Sequence, residues 1–283
     1  MEAIKLIDEI REQVNVLKQQ GKTVGFVPTM GALHDGHLSL IRLALEKVDA
    51  VVVSIYVNPE QFGPDEDFDE YPRQLSSDLE ICEDEGVDLV FAPSDQMMYP
   101  EEKQYIRIEV DELKDHMDGA SRPGFYEGIM LVVNKLFNII EPDVAVFGQK
   151  DIQQVRILQR MVKEMNHGIE LVMGPIRRAN DGLALSSRNA YLNDEERLKA
   201  PALFRSLIYV KKQIEDGVDT PKLLLEHQVS ELEAKGFKID YFNVFTFADM
   251  KPAEKLTSGN KYIIAGAVYL GDTRLIDNLI IEF

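Results

Sequence analysis

A single cysteine, Cys82, is all the thiol chemistry this chain has, so no intramolecular disulfide can form and a reducing compartment is the simpler expectation. It lies in Glu80-Ile81-Cys82-Glu83-Asp84-Glu85, where neighbouring carboxylates disfavour the thiolate, and it reads as structural rather than nucleophilic. Tryptophan is absent, and basic residues are scarce: 31 Lys and Arg stand against 49 Asp and Glu, a formal charge of −18. A field of that sign repels phosphate backbones and argues against a nucleic-acid partner. It does not exclude a small anionic ligand, which responds mainly to local donors. No apolar run approaches the roughly 18–20 residues of a membrane span; the strongest covers only residues 50–57. The opening Met1-Glu2-Ala3-Ile4-Lys5 alternates charge with apolar residues and lacks the order of a signal peptide. A cytoplasmic protein without a membrane partner is therefore expected.

Three familiar signatures are missing as well. Gly21-Lys22-Thr23 looks like the end of a phosphate-binding P-loop, but the earlier glycine it requires is replaced by Val16, and the triplet precedes a strand instead of following one. No Gly-x-Gly-x-x-Gly follows any expected strand, which removes the main support for a dinucleotide redox enzyme. His34 and His37 have no Cys or further His nearby to close a zinc site, so a protein-held metal is left unknown.

What is present is a regular alternation. Runs rich in β-branched residues at 23–27, 50–57, 87–92, 143–147 and 169–173 predict strands. Between them lie helical stripes, such as Ile129, Val132, Val133, Leu136, Phe137 and Ile140, or Ile152, Val155, Leu158, Val162 and Met165. Continuous apolar strands alternating with amphipathic helices predict an α/β fold: a Rossmann-like parallel sheet with helices on both faces. From about Pro175 the pattern changes to charged helices over 194–216 and 220–235. Strands over 239–245, 262–269 and 273–281 then predict a smaller α+β C-terminal domain with an antiparallel sheet. The expected division is 1–175 and 176–283. The acidic stretch Asp65-Glu66-Asp67-Phe68-Asp69-Glu70 reads as a solvated loop.

The chemistry concentrates after the first expected strand, in Pro28-Thr29-Met30-Gly31-Ala32-Leu33-His34-Asp35-Gly36-His37. A helix is expected to start near Gly36 or His37, which puts the loop at the carboxyl end of a strand, where open α/β sheets bind ligands. Outward helix amides attract anions there, Gly31 and Gly36 permit close approach, and two imidazoles can donate to phosphate oxygens. On residue chemistry alone this gives a phosphate-binding loop, without a reaction or a substrate. Lys150 places a cation after a later strand, and Ser186, Ser187 and Arg188 sit on a glycine-containing loop suited to closing over phosphates. Gln61 and Gln154 offer neutral amides that can hold a small acid while leaving its carboxylate nucleophilic.

His34-Asp35-Gly36-His37 resembles the His-x-Gly-His signature of the nucleotidylyltransferase superfamily, shared with class I aminoacyl-tRNA synthetases. Four further segments resemble the pantothenate synthetase family: Asn58-Pro59-Glu60-Gln61-Phe62, Arg122-Pro123-Gly124, Phe147-Gly148-Gln149-Lys150-Asp151-Ile152-Gln153-Gln154 and 181–189. The matching segments span roughly residues 24–190 in the family's order. The resemblance implies ATP-dependent joining of pantoate to β-alanine through pantoyl adenylate, with release of AMP and pyrophosphate. It implies Mg²⁺ on the phosphates, a homodimer, and a C-terminal domain that closes over the active site. His37, His34 and Lys150 are implied as catalytic. ATP binding is implied for Met30, Gly31, Ala32, Leu33, His34, Asp35, Gly36 and His37; for Gly148, Gln149, Lys150 and Asp151; and for Arg177 through its backbone with Leu185, Ser186, Ser187 and Arg188. Gln61, Gln154 and Arg122 are implied for pantoate or β-alanine. Two departures stand out: Gln149 replaces a frequent Glu, and Phe125 replaces a frequent His, removing one polar contact to the nucleotide. Another member of the superfamily, acting on a phosphorylated acceptor, is the alternative, although such an acceptor would call for cations where Gln61 and Gln154 stand. A tRNA synthetase fits poorly with so short and acidic a chain, and a non-catalytic nucleotide sensor would bind ATP without turning pantoate over.

Overall fold

Four successive buried residues in each of two neighbouring strands set the architecture. Val24, Gly25, Phe26 and Val27 are all buried, as are Ala50 to Val53. Successive strand side chains point to opposite faces, so both faces of this sheet are covered. In a computed structural model that describes residues 1–64, 66–101 and 104–283, the chain runs β1 (Ala3–Ile4), α1 (Ile7–Gln19), β2 (Val24–Thr29), α2 (Asp35–Leu45), β3 (Ala50–Ile55), α3 (Leu75–Asp84) and β4 (Leu89–Phe91). It continues through α4 (Asp95–Met98), α5 (Met117–Ser121), α6 (Phe125–Ile140), β5 (Val144–Gly148), α7 (Ile152–Glu164) and β6 (Glu170–Gly174). Last come α8 (Asp194–Lys199), α9 (Ala202–Glu215), α10 (Lys222–Ala234), β7 (Lys238–Thr246), β8 (Lys261–Leu270) and β9 (Thr273–Glu282).

Two compact units result. The first comprises Met1–Val110, Arg122–Gly148 and Gln154–Pro175. Its six-stranded sheet has the order β1-β4-β3-β2-β5-β6, and every pairing is parallel. The chain steps outward from β2 through β3 to β4, then returns to β5 on the other side, so the topological switch point lies between β2 and β5. The residues expected to line one face of α6, from Ile129 to Ile140, are all buried. Along α7 the expected stripe ends early: Ile152, Val155 and Leu158 are buried, but Met165 lies past the helix end and is 46% exposed.

The second unit comprises Asp111–Ser121, Gln149–Gln153 and Ile176–Phe283. Its antiparallel sheet, β7-β8-β9, packs against α9 and α10 through Leu203, Leu207, Val210, Leu225, Leu232 and Ile264. The helix expected over 194–216 is two helices, because Pro201 cannot donate the backbone hydrogen bond that would continue the first. Segment 111–121 joins this unit through polar bonds. Arg274 of β9 donates to Asp118 at 2.6 Å and to Asp240 at 2.6 Å, Ser121 donates to Asp240 at 2.7 Å, and Gln153 donates to the carbonyls of Leu113 and His116 at 2.7 Å each.

No helix among the described residues is long and apolar enough to cross a membrane. The acidic stretch expected as a solvated loop is partly engaged: Glu66 pairs with Arg122 at 2.5 Å, and Phe68 packs edge-on against Phe62. Asp65 of that stretch lies outside the described residues.

One helix–turn contact is close enough to test. A Cβ on Gly128 of α6 would sit 1.9 Å from the carbonyl oxygen of Glu60. Alanine at position 128 would gain about 0.5–1 kcal/mol in helix propensity, but it must displace backbone. Gly128→Ala is therefore expected to lower stability by roughly 1–3 kcal/mol, seen as a lower urea midpoint; an unchanged midpoint would refute the contact.

Candidate active site

The loop leaving β2 is held in shape by its own chain. Gly31 and Ala32 are both left-handed, with φ of 80° and 50°. Their backbone turns the amides of Ala32 and Leu33 onto the carboxylate of Asp78 in α3, at 3.0 and 2.8 Å, and Asp78 is fully buried. The Gly31 amide donates to Thr29 Oγ1 at 3.1 Å. His34 is the N-cap of α2: its Nδ1 accepts from the Gly36 amide at 3.1 Å, while its own amide donates to His37 Nδ1 at 3.3 Å. Helix α2 thus starts at Asp35, slightly earlier than expected.

Two consequences follow for chemistry. With both Nδ1 atoms accepting, the proton of each neutral imidazole is assigned to Nε2, so each ring is an Nε2–H donor. The rings lie 4.1 Å apart at the N-terminus of a helix, where anions are favoured. The amides of Gly31, Ala32, Leu33, His34 and Gly36, by contrast, all end on groups of the protein itself. These five amides are therefore satisfied within the protein, and the two imidazoles stand beside them at the helix start.

In the same unit, the turn after β3 fixes Gln61. Its Oε1 accepts from Asn58 Nδ2 at 3.1 Å, and its Nε2 lies 3.0 Å from Met30 Sδ. Asn58 is 1% exposed; its Nδ2 also donates to the Gly128 carbonyl at 3.2 Å, and its Oδ1 accepts from the Tyr99 hydroxyl at 2.7 Å. Burial pushes the Tyr99 phenol upward, which keeps it a donor. Arg122 binds Glu66 at 2.6 and 2.5 Å and the Gln61 carbonyl at 3.3 Å, and its guanidinium stacks 3.4 Å from the centre of the Phe125 ring. Arg122 is thus directed at the Gln61 turn, and Phe125 supplies its platform. Gln154 is half-buried in this unit, whereas its neighbour Gln153 is a buried brace in the other. Burial, with a lesser push from Asp78, raises the Cys82 thiol to about 12, which fits the structural reading of that residue.

In the second unit, Gln149, Lys150 and Asp151 form a 3-10 turn. Lys150 Nζ lies 3.6 Å from Asp151, and its backbone carbonyl accepts from Asn278 Nδ2 at 2.9 Å. Gln149 donates to Asn278 Oδ1 at 3.2 Å. The Arg177 carbonyl accepts from the Leu185 amide at 2.9 Å, so the segment folds back on itself before Ser186. Ser186 then caps a 3-10 turn over Ser187–Tyr191, its Oγ accepting from the Arg188 amide at 3.3 Å. Asn58, Asp78, Asp277 and Asn278, none of which the sequence reading gave a role, hold these pieces in place.

A parallel sheet with a switch point beside β2, and paired imidazoles capping the helix that leaves it, defines a ligand-binding protein of the doubly wound α/β class. The chain belongs to the Pantoate-beta-alanine ligase family, whose pattern matches residues 2–280. It is 48% identical to the pantothenate synthetase of Fervidobacterium nodosum over the whole of both chains. It is 49% identical to that of Carboxydothermus hydrogenoformans over 98% of this chain and 97% of the other. Among solved structures, pantothenate synthetase from Thermus thermophilus superposes with a TM-score of 0.90 at 40% identity, covering 99% of each chain. A pantoate–β-alanine ligase from Francisella tularensis, solved with a β,γ-ATP compound and β-alanine, gives 0.82 at 34% identity over 99% of this chain and 97% of that one.

If Asp78 holds the loop, Asp78→Ala leaves two buried amides without their charged acceptor, at a cost of about 2–5 kcal/mol in chemical denaturation. Hydrogen exchange at the Ala32 and Leu33 amides should speed up beyond that of the sheet. Unchanged protection at both would show that another group holds them.

Proposed function

We propose that this enzyme condenses pantoate with β-alanine using ATP. The observation that carries the proposal is the family match along nearly the whole chain, joined to His34 and His37 capping the helix after β2. Pantoate's carboxylate attacks the α-phosphorus of ATP, giving pantoyl adenylate and pyrophosphate. The amine of β-alanine then attacks the activated carbonyl and AMP leaves. No residue becomes covalently attached.

The Nε2–H donors of His34 and His37 stabilise charge that grows on the phosphates, as do Lys150 and the Ser186, Ser187 and Arg188 segment. Gln61, already oriented by Asn58 and Met30, holds pantoate with a neutral amide, and Gln154 does the same. A cation in their place would bind the carboxylate harder and blunt its attack. Arg122 contributes to the acid and amine side through the Gln61 turn, and the Arg177 backbone serves the adenine side. Mg²⁺ bound to ATP would offset phosphate charge. A cytoplasmic homodimer completes the reading, and sedimentation would test its assembly.

His37→Ala and Lys150→Ala should each lower pantoate-dependent ATP–pyrophosphate exchange by about 10²–10³-fold while the unfolding midpoint stays near that of the parent. AMP release with ATP and pantoate should become continuous only when β-alanine is added. AMP release indifferent to β-alanine would point to the superfamily alternative, and ATP binding without turnover to a sensor.

A further inference from the structure

One buried asparagine, remote in sequence from every motif above, faces the backbone that carries Lys150. Asn278 of β9 is 1% exposed. Its Nδ2 donates to the carbonyls of both Gln149 and Lys150 at 2.9 Å, and its Oδ1 accepts from Gln149 Nε2 at 3.2 Å. Three bonds from one side chain therefore fix consecutive residues of a 3-10 turn, a geometry with weak internal hydrogen bonding. The preceding residue locks the strand at this point. Asp277, 4% exposed, takes Arg178 in a bidentate pair at 2.5 and 2.8 Å and accepts the Asn278 amide at 2.7 Å. Arg178 also donates to the Gly182 carbonyl at 3.1 Å and stacks 3.7 Å from the Phe204 ring centre, so it is itself immobilised. Burial pushes the Asp277 carboxyl up, against the pull of Arg178, the Asn278 amide and Lys150.

Two adjacent buried polar residues flanked by Leu275, Ile276, Leu279 and Ile280 need a reason, since burying them is costly unless every group is paired. Here they are paired, and their partners are the Lys150 turn and the segment leading to Ser186. We infer that Asn278 is a positioning residue for adenylate formation: it holds the turn that aims the Lys150 ammonium. The inference rests on the role proposed above for Lys150. A cation displaced by about 1 Å can lose on the order of 10²-fold in rate, with no contact to substrate removed.

The test is a double-mutant cycle read by pantoate-dependent ATP–pyrophosphate exchange, with Asn278→Ala, Asn278→Asp, Lys150→Ala and the double variants. Asn278→Asp nearly keeps the shape but sets an oxygen against two carbonyls. Both Asn278 variants should lower kcat by roughly 10–100-fold, with KM for pantoate within about twofold of the parent. Added to Lys150→Ala, they should cause no further loss beyond about twofold, because they act through a cation already gone. A purely structural role would not produce that masking. If Lys150→Ala is impaired but the Asn278 variants work normally, or their losses multiply with it, the positioning role is wrong and the Lys150 reading stands. If Lys150→Ala keeps full exchange, the Lys150 reading itself falls and takes the inference with it. If neither Asn278 variant folds, the residue serves folding and the inference is overturned.

Discussion

The carboxylate of Asp78, sealed beneath the loop between β2 and α2, is the contact on which the first unit's site depends. Two consecutive left-handed residues point neighbouring amides the same way, an arrangement that seeks an anion. The protein supplies that anion from α3, 46 residues on from Ala32. A left-handed conformation at Ala32 costs roughly 1–2 kcal/mol, and one hydrogen bond to a charged acceptor, at about 1.5–3 kcal/mol, is enough to offset it. Gly31 has a second constraint: a Cβ there would sit 2.9 Å from Asp78 Oδ2. Everything downstream follows from this clamp, because it sets where α2 begins and therefore where the two imidazoles stand.

The second unit repeats the device with a neutral side chain. Asn278 satisfies two carbonyls where Asp78 satisfies two amides, and in each case a distant buried residue shapes a short turn. The asymmetry is chemical. Converging amides want a carboxylate, whereas converging carbonyls want N–H donors, and a carboxamide supplies two of these while its oxygen takes a third bond from Gln149.

The sheet was legible because its strands are buried on both faces, so Val24–Val27 and Ala50–Val53 stand out as unbroken apolar runs. The motif loops were legible because glycine, histidine and serine cluster where strands end. Their supports were not. Asp78 belongs to Leu75-Ser76-Ser77-Asp78, which has the composition of an exposed helix start; the available signal was its spacing of four from Cys82, which places both on one buried helical face. Asp277 and Asn278 interrupt a strand whose neighbours are apolar, a signal visible only once polar residues inside a strand are asked what they bind. Pro201 marked a helix break that the surrounding charge pattern obscured. Segment 111–121 carried no periodicity, because it is held by discrete bonds to Asp118, Ser121 and the carbonyls of Leu113 and His116, not by an apolar stripe.

A chain with a formal charge of −18 that handles a triphosphate has to keep its carboxylates from acting on the ligand. Three carboxylates beside these turns are held by donors of the protein. Asp78 faces two amides, Asp277 faces a guanidinium, and Glu66 faces Arg122. Each negative charge is matched at contact distance, so its field at longer range is largely cancelled. Gln61 is oriented by Asn58 and Met30 without any cation, so an acid bound there would be located by hydrogen bonds and keep its nucleophilic electron pair.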